Sequence, residues 1–329
     1  MIPELFNIQP FTRQELSALT NSRKGETRLG EKVSTEPNSK TKFIIIGIEE
    51  SIGPLANKGF SGAEKAFIPF LQRFLNMQSN RFLSGEEICI FGSIKQMTNK
   101  IAPDLFSAAV DQLDQVVSDI ISSSIKKEHI LIIIGGGHNN AYPIISSINK
   151  ILKQKLHVLN LDPHGDCRAL EGRHSGNPFS YAMAKDILES YSVIGLHKAY
   201  NNEETLDFLN KHHCKYSFYD DIVNGKSSFE EQLNDFIRHL KYKNPLGLEL
   251  DMDAIAFSPS SAFTPSGINP EEARNYICRC SNELKPVYLH LPEAAPLNEI
   301  EEKISGKLLA YLTYDFIVNH SVTQDKLKN

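Results

Sequence analysis

Eight short apolar runs, at 43–48, 88–91, 129–134, 156–161, 192–196, 216–219, 246–250 and 287–291, constrain the fold of this 329-residue chain more than any other feature. Runs of this length, rich in Ile, Leu and Val, are too short for buried helices and suit strands. Between them lie longer segments with helical apolar spacing, at 61–77, 105–125, 141–153, 203–212, 229–240 and 270–282, and a last one follows at 300–319. Strands alternating with helices predict an α/β fold with a mostly parallel sheet covered on both faces. The pattern runs on without an internal repeat or a second linker-like stretch, so 42–329 reads as a single domain. Residues 21–42 carry Ser, Thr, Lys, Glu and Gly with almost nothing apolar, so 1–41 reads as an N-terminal arm, partly mobile.

Composition narrows the class. With 41% hydrophobic and 23% charged residues and a formal charge of -5, the chain can bury a sizeable core and offers no basic face to nucleic acid. No apolar run approaches the ~20 residues that cross a bilayer, so no membrane partner is expected. Five scattered cysteines fit a reducing compartment rather than a disulfide framework, and the expected location is the cytoplasm.

In parallel sheets ligands collect at the carboxyl ends of strands, and three such ends carry ligand-type side chains. After 130–134 come three glycines, which let the backbone turn sharply, and then His138. Phosphate cradling is the rival reading, but no Lys-Ser/Thr pair follows the glycines. After 156–161 come Asp162, His164 and Asp166, at alternate positions that share a face; a polar loop without a metal is the bland alternative. After 246–250 come Asp251 and Asp253, also at strand spacing. Like charges buried side by side are costly unless a cation neutralises them, and oxygen and imidazole donors suit a divalent first-row metal.

Four carboxylates and two histidines exceed the needs of one small cation with open positions and suit two. With Asp162 and Asp251 as bridges, one ion takes His138, Asp162, Asp166 and Asp251, and the other takes Asp162, His164, Asp251 and Asp253. Two ions roughly 3.5 to 4 Å apart activate a shared water for hydrolysis. Four carboxylates and a hydroxide against two divalent ions leave the site slightly anionic, which favours a cationic, planar amidine or guanidine small molecule over a phosphate ester.

The set Gly-Gly-Gly-His138, Asp162-Pro-His164-Gly-Asp166, His174-Ser-Gly-Asn-Pro-Phe179, Asp251-Met-Asp253 and Glu293-Ala-Ala-Pro296 resembles the ureohydrolase family of arginases, agmatinases and formimidoylglutamases, over about 43–320 and in family order. The resemblance implies a three-layer α/β/α fold with an eight-stranded parallel sheet, a homo-oligomer, and two manganese ions on His138, Asp162, His164, Asp166, Asp251 and Asp253. Within the family, the third glycine before His138, Arg168 after the Asp166-Cys pair, and the His174 motif look most similar to formimidoylglutamase. That likeness implies hydrolysis of N-formimino-L-glutamate to glutamate and formamide; the alternatives are a urea-releasing arginase, agmatinase or guanidino-acid hydrolase, and a non-catalytic metal-binding member. The chain departs from the family pattern at Asn139 and Asn140, at Glu249, where most members have Ser, and at Ala256-Phe257.

Three further residues complete the expected site. Arg168 is placed to pair with a substrate carboxylate, or else clamps its own loop. His174, in a turn-rich segment able to fold back over the metals, is a proton donor to the departing amine, or a loop histidine with a structural hydrogen bond. Glu293, following the strand at 287–291 between Pro292 and Pro296, accepts two hydrogen bonds from an amidinium or guanidinium, or else caps the next turn. The turn-rich segment 257–269 reads as a wall of the substrate mouth or a plain connection. Cys167 reads as packing, since nearby anions disfavour a thiolate.

Overall fold

A computed structural model describes residues 5–98 and 100–321. Its centre is one nine-stranded sheet of β1 (Phe6–Pro10), β2 (Phe43–Glu49), β3 (Ile88–Gln96), β4 (Ile130–Ile134), β5 (Leu156–Leu161), β6 (Leu188–Leu196), β7 (Lys215–Phe218), β8 (Leu246–Leu250) and β9 (Tyr288–Leu291), in the spatial order β1-β3-β2-β4-β9-β8-β5-β6-β7. The eight strands expected from the sequence are all present and mutually parallel. The ninth, β1, runs antiparallel to β3 at the edge. Its pattern FNIQP is only half apolar, so one-sided burial at an edge left little signal.

Strands of the centre are apolar on both sides because both faces are covered. In β4 the side chains of Ile130, Ile132 and Ile134 enter one core. Leu131 and Ile133 enter the other. The first core is closed by α3 (Phe67–Phe74), α9 (Phe229–Leu240), α10 (Pro270–Leu284) and α11 (Glu299–Ser321). The second is closed by α4 (Phe106–Ser124), α5 (Ala141–Leu152), α6 (Pro178–Ala184) and α7 (Glu203–Lys211). The result is the three-layer α/β/α sandwich expected. Local chemistry sets the helix starts: Ser228 with Glu231 and Asn269 with Glu272 form capping boxes on α9 and α10, and Pro270 occupies the first turn of α10.

One expectation needs correction. The helix expected over 61–77 is shorter: a 3-10 turn at Ala63–Lys65 precedes α3, which spans only Phe67–Phe74. Pro69, without an N–H, is accommodated in the first turn of a helix starting at Phe67, whereas a start at residue 61 would put it in the interior. Residues 21–41 make specific contacts with the rest of the chain. The N–H groups of Leu29 and Gly30 donate to the carbonyls of Met77 and Leu75 at 2.9 Å each, Ser34 exchanges backbone bonds with Ile88 and Ile90, and Leu29 and Val33 are buried. Main-chain hydrogen bonds and a few apolar anchors make these contacts, not an apolar face.

The last helix brings a titratable group against the core. The His320 ring packs edge-on to Phe43 at 5.8 Å and donates from Nε2 to the carbonyl of Pro286 at 3.0 Å. Burial, then the charge of Lys42, pulls its pKa down to about 4. A histidine depressed on folding binds its proton more readily in the unfolded chain, so its contribution to stability is complete above the unfolded value near 6.5 and is lost as pH falls towards 4. We expect urea-unfolding free energies to decline across that window, and to decline less steeply in His320→Gln. Parallel slopes in the two proteins would show that His320 does not titrate on unfolding.

Candidate metal centre

The carboxyl ends of four neighbouring strands, β4, β9, β8 and β5, deliver the side chains of the centre. After β4, Gly135 and Gly136 adopt φ of +85° and +70°, a region that costs other residues steric strain. Gly137 serves differently, because a Cβ there would lie 2.3 Å from Cδ of Pro54. The turn ends at His138, fully buried, with its ring edge-on to Phe179 at 5.4 Å. Asp162, Asp166 and His164 follow β5, and Asp251 and Asp253 follow β8.

All six expected ligands converge. His138 Nδ1 lies 3.1 Å from Asp162 Oδ2 and 3.0 Å from Oδ2 of both Asp166 and Asp251. His164 Nδ1 lies 3.4 Å from Asp162 Oδ1 and 3.3 Å from Asp253 Oδ2. The donors thus form two groups, His138 with Asp162, Asp166 and Asp251, and Asp162 with His164 and Asp253. Asp162 stands in both, one oxygen turned to each imidazole. Asp251 groups with the first set only, while its Oδ1 accepts the N–H of Asp253 at 2.9 Å.

These residues fit a divalent cation. Burial, then the charges of Asp253 and Asp162, pushes Asp251 well above the usual carboxylate range. Burial likewise raises Asp253, and burial with the Asp162 charge raises Asp166. Burial opposes a charged His138, yet the surrounding carboxylates raise it well above 6.5. The cluster therefore draws in positive charge, and among the described residues its ion pairs are all with histidines. His138 Nδ1 and Asp253 Oδ1 are buried without a hydrogen-bond partner, as side chains facing a metal would be.

The centre opens into a cleft of about 230 Å³ whose walls include Arg168, Asn201, Thr205, Ser261 and Glu293. Glu293 follows β9 with φ +66°, strained for a non-glycine, and is fixed from several sides. Its N–H donates to Gly136, its Oε1 accepts the N–H of His138 at 2.7 Å, and its Oε2 accepts the hydroxyl of Ser261. Burial, then the charge of Asp251, pushes its pKa up to about 8. Ser261 belongs to the turn-rich segment 257–269, which does form a wall of the cleft. Arg168 stands half-exposed at the rim, with Nη2 2.8 Å from Glu171 Oε1 and Nη1 3.3 Å from Asn57 Oδ1.

His174 is not brought to the cleft. Ser175 and Gly176 line it instead, and the His174 ring faces a neighbouring recess beyond Arg168. There Nδ1 accepts the N–H of Gly176 at 3.1 Å and Nε2 lies 3.3 Å from Glu171. Burial, then the Arg168 charge, lowers its pKa to about 4. The fold of its loop is dictated by Arg173, buried between the rings of Tyr142 and Tyr181 and bonded to Asp114, Asn177 and the carbonyl of Asn139. Cys167 is buried, with its thiol pushed well up by burial first, as packing requires.

Supporting residues were not read from the sequence. Glu50, at the end of β2 and fully buried, accepts from the N–H of Gly137 at 2.8 Å, from the Asn140 amide at 2.7 Å and from the N–H of Gly53 at 3.1 Å, bracing the turn that presents His138. Asn201 accepts the N–H of Gly165 and donates to the carbonyl of Pro163, bracing the loop of His164. Tyr200 stacks on the His164 ring at 5.4 Å. A carboxylate at a strand's carboxyl end was a legible signal for Glu50; nothing local marked the other two.

Comparison with known proteins agrees with this geometry. A model described as the Arginase family matches residues 62–318. The formimidoylglutamase of Macrococcus caseolyticus is 25% identical over 272 residues, 82% of each chain. That of Geobacillus kaustophilus is 27% identical over 282 residues, 82% of this chain and 81% of the relative. Among solved structures, Trypanosoma cruzi formiminoglutamase with Mn2+ superposes with a TM-score of 0.72 at 20% identity, covering 89% of this chain and 98% of that one. Formimidoylglutamase of Bacillus subtilis gives 0.73 at 16%, covering 89% and 93%. The chain belongs to the arginase family.

Proposed function

We propose that this chain is a binuclear metal hydrolase that cleaves N-formimino-L-glutamate to glutamate and formamide. The coarser statement follows from its family: it is a hydrolase acting on C–N bonds in amidines. The observation that carries the reading is the placement of Asp162, whose two oxygens face two imidazoles belonging to two donor groups. His138, Asp166 and Asp251 would hold one ion with Asp162, and His164 and Asp253 the other. Two divalent ions, manganese by the likeness to the relatives, supply hydroxide near neutral pH and polarise the reacting centre when bound.

The protein's own groups supply recognition. Glu293 faces the cleft with each oxygen already accepting one hydrogen bond, and a carboxylate oxygen has capacity for a second. A cation on Asp251 and the positive charge of the substrate would both favour its carboxylate form, in which it accepts the N–H groups of a cationic amidine and fixes the reacting carbon. Arg168 is the one Lys or Arg among the described residues lining the cleft, so it pairs with a carboxylate of the substrate at the rim, in competition with Glu171. His174 lines the adjoining recess, which shares Arg168 and Asn57 with the cleft, and it remains the histidine assigned to proton transfer at the departing amine.

Purified protein loaded with manganese should release formamide and glutamate from N-formimino-L-glutamate. Urea from arginine, agmatine or a guanidino acid, with no formamide, would reassign the substrate; turnover of none of them would leave a metal-binding protein. Elemental analysis should find two ions per wild-type chain, none in Asp162→Ala and one in Asp253→Ala. One ion retained by Asp162→Ala would remove the bridge.

Glu293→Gln keeps the shape of the cleft but weakens a charge-assisted hydrogen bond of about 1.5–3 kcal/mol, so kcat/KM should fall roughly 10- to 100-fold with metal content intact. A variant with wild-type kcat/KM would place the cationic group elsewhere.

A further inference from the structure

We propose that Glu249 is a positioning residue for His138, and that Tyr288 and His290 hold it in place behind the metal centre. The inference rests on the metal-binding reading above and extends it to groups outside the ligand set. Glu249 lies in β8 and Tyr288 and His290 in β9, and the register of the two strands pairs Glu249 with His290 and Gly247 with Tyr288. All four side-chain groups, His138 included, are fully buried.

The arrangement is built around a missing Cβ. At Gly247 a Cβ would lie 2.2 to 2.4 Å from atoms of the Tyr288 side chain, so only glycine leaves room for that ring. The ring crosses the vacant position and its hydroxyl donates to Glu249 Oε1 at 2.7 Å. The other oxygen, Oε2, lies 2.6 Å from Nδ1 of His290. The same Oε2 is 3.5 Å from Nε2 of His138, which has no hydrogen-bond partner.

His138 turns Nδ1 to Asp162, Asp166 and Asp251, and Nε2 the opposite way, to Glu249. A histidine that binds a metal through Nδ1 carries its remaining proton on Nε2. A carboxylate facing that proton fixes the tautomer, aims the ring and makes Nδ1 a stronger donor. His164 has no counterpart among the described residues: both its carboxylate contacts are at Nδ1, and its ring stacks on Tyr200. Glu249 should therefore act on one ion and not the other.

His138, Glu249 and His290 are close enough together to be considered a metal site of their own. The 2.6 Å between His290 and Glu249 argues for a hydrogen bond instead. Two donor atoms that share an ion at about 2.0–2.2 Å from each stand roughly 3 Å or more apart. The buried carboxylate is satisfied by Tyr288 and His290 and keeps an oxygen turned to the ligand histidine.

The test is manganese binding by metal-free protein, followed by calorimetry and by competition with a chelator, with no substrate present. Wild type should take up two ions. Glu249→Gln should weaken one step roughly 10- to 100-fold and leave the other within about twofold, while the metal-free protein keeps its thermal midpoint. Tyr288→Phe, which removes one bond to the carboxylate but keeps the ring, should weaken the same step by a smaller factor. If Glu249→Gln does not fold, Tyr288→Phe decides alone. Unchanged binding in the folded variants, or equal weakening of both steps, would overturn the positioning role. So would a third ion in wild type that His290→Ala loses. Wild type taking up no manganese would fail the metal-centre reading itself, a result distinct from all of these.

Discussion

Negative charge buried at the ends of central strands is the constraint on which this structure depends. Asp162, Asp166, Asp251 and Asp253 meet in a volume from which water is largely excluded; burial raises Asp166, Asp251 and Asp253, while His138 and His164 hold Asp162 low against the same burial. Such a cluster costs several kcal/mol per ion unless it meets a cation. The surroundings are arranged accordingly. Glycines bring His138 to the cluster, Glu50 braces that turn through the N–H of Gly137, and Glu293 closes the other side through the N–H of His138.

Much of the fold was legible because each central strand is buried on both faces and so reads as an unbroken apolar run. The same feature placed the ligands, since residues just past those runs must lie at the carboxyl edge. Strand order was not legible. Nothing in the local sequence says that β8 and β9 insert between β4 and β5, and this insertion is what makes the four ligand-bearing ends neighbours.

What single positions do not reveal has tertiary causes. His174 has the residue type and loop for proton transfer, but its orientation depends on Arg173, whose partners Asp114 and Tyr142 lie in distant helices. Glu249 departs from the family pattern in one position of a strand, and its partners become visible only through the register of β8 against β9. Side chains that act through one another are set by tertiary contacts, so single positions carry little of their signal.

The position of β9 also bears on how the chain is assembled. It is the last strand in sequence, yet it sits in the middle of the sheet, joining the group β1-β3-β2-β4 to the group β8-β5-β6-β7. During synthesis from the N-terminus, β4 offers an open apolar edge for more than 150 residues before Tyr288–Leu291 emerges to cover it. Pairings of such sequence separation form slowly and leave edges exposed to other chains. The seam that β9 fills is also the one along which the metal-binding side chains are arrayed, so the centre can be complete only once the C-terminal part of the chain has joined the sheet.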